Sequence, residues 1–366
     1  MRPCCGAHRV AWRFVNTDIL TAIAAAALFG VSTPFAKLLT GAMSPLLLAG
    51  LLYLGSGLGL FVLRLLRDRG WKASGMAPGE WRWLLGAIVF GGVAGPVALM
   101  AGLASTPAST ASLMLNLEAV LTAVIAWLVF RENAGLRVLL GMAAIVAGGV
   151  VLAWQPNGLT PEGRHAALPV HGLLAIALAC LCWAIDNNLT RKVSASDAFF
   201  IAAAKGTMAG VVNTGFALAQ GAVLPAPAVM VATATVGLAG YGVSLVLFVL
   251  ALRGLGSART GAYFSTAPFI GAAVSLMFPG ESGSTAFWIA AALMALGVWL
   301  HMSEHHEHEH THEAMEHEHL HVHDEHHQHV HEAGWDGQEP HVHRHVHAPM
   351  THKHPHYPDV HHRHTH

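Results

Sequence analysis

"LEAVLTAVIAWLVFRE", residues 117–132, lies against "TAPFIGAAVSLMFPGE", residues 266–281, at an offset of 149, so that Ala119 meets Pro268 and Glu132 meets Glu281. Each copy is followed by a Gly- and Ala-rich run, "GMAAIVAGGVVL" and "AALMALGVWL". Earlier in each half, "LFGVSTPFAKLL" (28–39) faces "CWAIDNNLTRKV" (182–193) at an offset of 154. The chain is therefore a duplication. Apolar runs of about 20 residues, the length that crosses a bilayer as a helix, fall at approximately 18–40, 45–66, 82–104, 107–130 and 135–154 in the first half. In the second half they fall at 170–190, 198–220, 228–252, 257–279 and 284–301, with the least distinct breaks at Thr106 and around Gly256. Five spans per copy is an odd number, so the second copy must enter the bilayer upside down. The expected fold is an all-α membrane protein of ten transmembrane helices in two inverted five-helix repeats.

Composition agrees. Of 366 residues 54% are hydrophobic and 11% charged, with a mean hydropathy of +0.48; a soluble domain carries roughly 25% charged residues. The net charge of -1 averages two unlike parts, because 25 of the 28 His and 12 of the 21 Asp and Glu, but only 3 of the 20 Lys and Arg, lie from 301 onward. The expected organisation is a cytoplasmic N-terminus (1–17), a first repeat (18–154), a periplasmic linker (155–169), a second repeat (170–301) and a disordered His-rich cytoplasmic tail (302–366). Orientation follows from the basic residues. With the N-terminus inside, 14 flanking Lys and Arg, among them Arg64, Arg67, Lys72, Arg131, Arg191, Arg253 and Arg259, are cytoplasmic, and only Lys37 and Arg164 are external. Both termini are then cytoplasmic, in a multi-pass protein of the bacterial inner membrane. The basic N-terminal segment resembles a signal-peptide start, but the apolar run continues to Leu39 and is long enough to span rather than be cleaved.

"FGVSTPFAKLL" in the first span, "SPLLLAGLLYLGSGLGL" in the second, "TASLMLNLEAVLTAVIAWLVFRE" in the fourth, "CWAIDNNLTRK" in the sixth, "AAKGTMAG" in the seventh and "GYGVSLVLFVLALRGLGSARTGAYFSTAPFIGA" from the eighth into the ninth resemble the EamA type of the drug/metabolite transporter superfamily, over about residues 18–301. The resemblance implies a ten-span carrier of amino acids, nucleotide precursors or other small metabolites, often an exporter, with both termini inside. Two features depart from it: Glu118-Ala119 stands where many relatives have a proline, and a 66-residue His-rich segment follows the last span.

Ionisable groups at membrane depth are costly and are candidates for function. Glu118 is about twelve residues into the fourth span, close to the midplane at about 1.5 Å per residue. Asp186 lies in the inner half of the sixth span and Lys205 in the seventh; Asn116, Asn187, Asn188, Asn213 and Tyr241 add polar atoms nearby in depth. The expectation is that Glu118 and Lys205 face a central cavity, pair when it is empty, and exchange partners when a charged substrate or proton arrives. The alternatives are a fixed structural pair, a Lys205 that snorkels to the surface, and an Asn187-Asn188 that belongs to the cytoplasmic end of its span. "GSGLG", "GGVAG" and "GTMAG" place small residues four apart, a pattern for close helix packing. Pro34, Pro96 and Pro268 fall within spans, and Pro268 is placed to break the ninth helix. Cys180 and Cys182 in the sixth span read as small hydrophobes more readily than as a soft-metal pair. There is no Walker sequence, no His-Glu-x-x-His motif and no nucleic-acid module, so neither an enzyme nor a nucleic-acid partner is expected.

In the tail, histidines alternate: His306, His308, His310 and His312; His317, His319, His321 and His323; His341, His343, His345 and His347; with further sets at 352–356 and 362–366. An extended chain would put each set on one side, and imidazole with nearby glutamate binds zinc, nickel, cobalt or copper. At roughly four ligands per ion the tail could hold about six ions; a pH-sensitive brush is the alternative. The membrane part has no His at depth, since His8, His165 and His171 are in flanks or loops. The preferred reading is a secondary carrier of a small metabolite, coupled to a proton or another ion, with a metal-binding tail. A nickel, cobalt or zinc permease and a membrane-anchored metal buffer or sensor are the competing readings. The expected partners are the lipid bilayer, a small-molecule or ion substrate and divalent metal ions, and a homodimer is compatible with the sequence.

Overall fold

The computed structural model describes residues 7–130, 136–153, 170–193, 196–303, 306–312, 315–321, 341–347 and 350–356. The linker expected at 155–169 lies outside them, as do 322–340 and 357–366. The chain falls into two compact units, Met1–Glu304 and His305–His366.

The first unit is helical. Its helices are α1 (Ala7–Leu39), α2 (Pro45–Asp68), α3 (Trp81–Ala87), α4 (Gly95–Ser105), α5 (Ala108–Met114), α6 (Leu117–Phe130), α7 (Leu136–Ala153), α8 (Val170–Thr190), α9 (Ala198–Ala219), α10 (Pro227–Val236), α11 (Ser244–Phe264), α12 (Ala267–Ser275) and α13 (Thr285–Met302). Among the described residues seven helical segments are long and apolar enough to cross a membrane: Thr17–Leu39, Pro45–Asp68, Pro78–Ser105, Ala108–Val129, Leu136–Ala153, Val170–Thr190 and Pro227–Ala251, with Thr285–Leu300 a shorter apolar helix. This is an integral multi-pass membrane protein. Helix α1 begins at Ala7, eleven positions before the span expected from Asp18, although its apolar stretch starts only at Thr17.

The duplication is visible in the backbone. A π-helical segment, Ile88–Ala94, joins α3 to α4, and a second, Gly237–Val243, joins α10 to α11 at the same offset of 149. Helices are interrupted at Leu115-Asn116 and again at Ser265-Thr266. Packing follows the same symmetry: α2 packs on α9 and α7 on α13, while α4–α8 matches α1–α11 and α6–α8 matches α1–α12. Two of the glycine motifs, GSGLG and GTMAG, serve the α2–α9 contact. A Cβ on Gly206 would come within 2.7 Å of the Gly57 nitrogen, and Gly50 and Gly210 face Thr214 and Leu54 as closely, so these backbones approach only because side chains are missing.

One expected boundary is not there. The break at Thr106 occurs, because Pro107 lacks an N–H and keeps its predecessor out of the helical region; Thr106 is extended, at φ -118° and ψ 140°. At Gly256 there is no break, and α11 runs through to Phe264. Glycine weakens a helix by only about 1 kcal/mol relative to alanine and does not compel it to end. The break expected near Pro268 is at Ser265-Thr266, with Pro268 in the first turn of α12. Its counterpart in the first half forms without a proline: Asn116 Nδ2 donates to Leu113 O at 2.9 Å, where the ladder is interrupted.

The second unit is described only in part. Its described residues form four strands, β1 (His306–His312), β2 (Met315–His321), β3 (His341–His347) and β4 (Met350–His356). They pair as two antiparallel two-stranded ladders, β1 with β4 and β2 with β3. Strict alternation has the two-residue period of a strand, and this pattern survives a composition too polar to build a core.

Candidate functional site

Helices α6, α8 and α9 bring the charged groups together at the π-helical segment Ile88–Ala94. Asp186 on α8 pairs with Lys205 on α9; the two residues are 5% and 4% exposed. Asp186 Oδ1 also accepts from Thr190 Oγ1, one helical turn on, at 2.9 Å. The space for this pair is made by glycine. A Cβ on Gly91 would collide with the Asp186 carboxylate, and one on Gly92 would press on Ala209 at 2.7 Å, beside the Lys205 stem. The Gly91 carbonyl accepts from Tyr53 Oη (2.9 Å) and from Trp183 Nε1 (3.0 Å), which fixes the π turn against α2 and α8. Asn213 Nδ2 donates weakly to Gly92 O and Val93 O, at 3.4 Å each, and its Oδ1 is buried without a partner among the described residues.

Glu118 stands beside this pair but is not part of it. Its Oε1 accepts from Asn187 Nδ2 at 2.7 Å, and Asp186 and Lys205 are within electrostatic range. The expected Glu118–Lys205 pair is therefore replaced by two: Asp186 with Lys205, and Glu118 with Asn187. Asp186 and Asn187 are consecutive on α8, about 100° apart around the axis, so one helix serves both partners. Nor does Lys205 face an open cavity or snorkel, since the ion pair is occluded. Tyr241, on the second π-helical segment, is buried with its ring 5.5 Å from Tyr53 and 5.9 Å from Phe29. Asn188 turns back to Ala184 O at 2.8 Å, and Asn116 is engaged at the α5–α6 break. Cys180 and Cys182 are free thiols in the α8 interior. Among the described residues of the membrane unit no group of three or more His, Cys, Asp or Glu stands together as a metal site. The histidines proposed as ligands at 306–312, 317–321 and 341–347 are placed at backbone level in the strands, and His323 lies outside the described residues.

Polar clusters that sequence reasoning missed join the halves at opposite ends. At one end, the Asp197 carboxylate accepts from Arg64 Nε (2.9 Å), Arg67 Nη2 (3.0 Å) and the Phe199 N–H (3.0 Å), tying the end of α2 to the start of α9. Burial pushes this carboxyl up, but the two guanidinium hydrogen bonds outweigh it and hold it below its usual range. At the other end, Glu281 accepts from the Ala108 N–H (2.7 Å) and Ser109 N–H (3.3 Å) at the start of α5. Lys37 Nζ donates to Leu103 O there, in a cleft of about 640 Å³ that Lys37 and Glu281 line together. An Asp directly before "AFFIAAAKG" is an N-cap signal that could have exposed Asp197. Nothing local exposes Glu281.

The profile of the EamA-like transporter family matches this sequence twice, over residues 16–154 and 170–303. The chain belongs to the EamA-like transporter family. A protein of Methanothermobacter thermautotrophicus known as an uncharacterized transporter is 27% identical over 293 residues, covering 77% of this chain and 84% of its own. A crystal structure of a protein 21% identical in sequence matches with a TM-score of 0.57, over 78% of this chain and 95% of the other, a likeness of fold. The two EamA matches, one per half, meet where α2 packs on α9 and where Asp186, Lys205 and Glu118 converge.

Proposed function

We propose that this EamA-family protein is a secondary carrier of a small, ionised metabolite, working by alternating access of two inverted five-span repeats, with both termini cytoplasmic. The observation that carries this reading is the occluded Asp186–Lys205 pair next to Glu118–Asn187, packed on a glycine-built π turn at the junction of the halves. A buried ion pair is held together by the cost of leaving either partner alone. A proton taken up by one carboxylate, or a charged solute arriving beside it, frees Lys205 to rebind elsewhere, and Glu118 is the second carboxylate in range. Phe29, Tyr53 and Tyr241 supply an aromatic wall, and Asn116 Oδ1 and Asn213 Oδ1 are buried acceptors without partners among the described residues, suited to a solute with N–H groups. The histidine-rich tail binds a divalent transition metal, nickel, cobalt, zinc or copper, on ligand density. The membrane unit offers no cluster of metal ligands among its described residues, which favours a metabolite over a metal ion as cargo.

The test is proton movement in liposomes holding the purified protein and an internal pH dye. They are challenged in turn with amino acids, nucleosides, nickel, cobalt and zinc. The expected result is a solute-evoked proton flux from an ionised metabolite that is abolished by Glu118→Gln or Asp186→Asn. Flux evoked by metal ions instead would make metal the cargo. A metabolite flux indifferent to both substitutions would remove the coupling role.

A further inference from the structure

The two ladders of the tail pair histidine with histidine. His306 is opposite His356, His308 opposite His354 and His310 opposite His352 in β1–β4. His317 is opposite His345, His319 opposite His343 and His321 opposite His341 in β2–β3. Each ladder also has one mixed rung, His312 with Met350 and Met315 with His347. Both follow one register, in which each step forward along the first half of the tail is a step back along the second. Alternate positions share a face, so each ladder carries three consecutive His–His rungs on one face.

The intervening positions support this register independently. The tail has three basic residues, Arg344, Lys353 and Arg363. Two of them are opposite glutamates, Glu309 with Lys353 and Glu318 with Arg344, and Leu320 is opposite Val342. Directly opposed unlike charges and apolar pairs favour a ladder. A register shifted by one residue would lose all of them and set histidine against glutamate or lysine.

Such ladders need a staple, because an isolated two-stranded ribbon is at best marginally stable in water. Two adjacent rungs place four histidines at the corners of a patch roughly 5 Å across the strands and about 7 Å along them. Four nitrogen donors from so small a patch suit a borderline divalent ion, which takes imidazole at about 2.0–2.1 Å. We propose that each His ladder is a metal site: the juxtaposition of two adjacent His–His rungs on one face recruits one zinc-like or nickel-like divalent ion, and that ion holds the two strands together. Three rungs complete one four-histidine site per ladder, so the tail binds about two ions tightly rather than the roughly six that ligand number alone would allow. This deepens the metal-binding reading of the tail and is independent of what the carrier moves, since it is read from bound metal and not from flux.

The experiment uses the full chain in detergent, loaded with zinc and desalted, with bound zinc measured by mass spectrometry and amide exchange followed with and without zinc. One variant replaces two adjacent rungs of the first ladder (His308→Ala, His310→Ala, His352→Ala, His354→Ala). A control removes as many histidines from other positions (His326→Ala, His327→Ala, His329→Ala, His331→Ala). The expected result is that the rung variant loses about half of the tightly held zinc and the zinc-induced amide protection of 306–312 and 350–356, while keeping that of 315–321 and 341–347. The control keeps both. Equal loss of zinc in the two variants, or zinc retained without protection of either ladder, would overturn the proposal.

Discussion

At the scale of residues, Asp186 and Lys205 depend on each other. Removing one partner of a buried ion pair leaves an uncompensated charge and costs about 3–5 kcal/mol, whereas removing both removes the penalty as well. Asp186→Asn and Lys205→Met should therefore each lower the melting temperature of the detergent-solubilised protein markedly. The double variant should melt above either single one. A double variant that melts at the sum of the two losses would mean that the groups do not act as a pair. That ionisable residues lie within helical segments at positions 118, 186 and 205 was legible in the sequence, because depth follows from counting along a helix. Which of them pair was not. Pairing depends on how α8 and α9 are rotated against the π turn, and that rotation is set by the absence of a side chain at Gly91, 95 positions before Asp186. Asn187 was legible as a polar atom near the site but not as the partner of Glu118, for the same reason.

At the scale of elements, the junction of α2 with α9 combines close glycine packing along its length with a charged clamp at its end. Arg64 is 2% exposed, its guanidinium stacked 5.4 Å from the Phe200 ring while donating to Asp197 and to Lys72 O. Asp197 also caps α9 through the Phe199 N–H. Its folded-state pKa lies below the unfolded value, so the stabilisation is fully present above the ordinary carboxylate pKa of about 4 and is lost as pH falls through the folded value. Asp197→Asn keeps the cap but removes the charge. It should melt a few degrees below the parent at pH 7, and the gap should close as pH drops below about 4 in a series of thermal melts; a gap constant with pH would assign the effect to packing alone. Element boundaries were legible where chemistry compels them, as at Thr106-Pro107, and illegible where it only permits them. Gly256 invited a break that the chain does not take, whereas Leu115-Asn116 breaks with no proline, by a local side-chain hydrogen bond that no spacing rule anticipates. The alternating histidines lacked the apolar face by which strands are usually recognised, so the ladders were hidden behind a composition typical of disorder.

At the scale of the whole molecule, the duplication was the most legible feature, because the offset of 149 read from two apolar runs reappears as the spacing of the two π-helical segments. The proposed arrangement of two inverted five-span repeats makes a definite statement about sidedness. In the proposed orientation the Arg64–Asp197 clamp and residues 70–77, between α2 and α3, lie on the cytoplasmic side, the side rich in Lys and Arg. The α4–α5 turn held by Glu281 then faces outward, with Lys37. Ala73 and Ser282 are both exposed and report on the two sides. In a chain whose native cysteines are replaced, Ser282→Cys should react with a membrane-impermeant maleimide in right-side-out vesicles, and Ala73→Cys should react only after the vesicles are opened. The reverse pattern would invert the molecule and put the histidine ladders outside the cell, where they would meet a different supply of metal. Labelling of both positions in sealed vesicles would be incompatible with an odd number of spans between α2 and the end of α12, and with it the inverted arrangement of the two repeats.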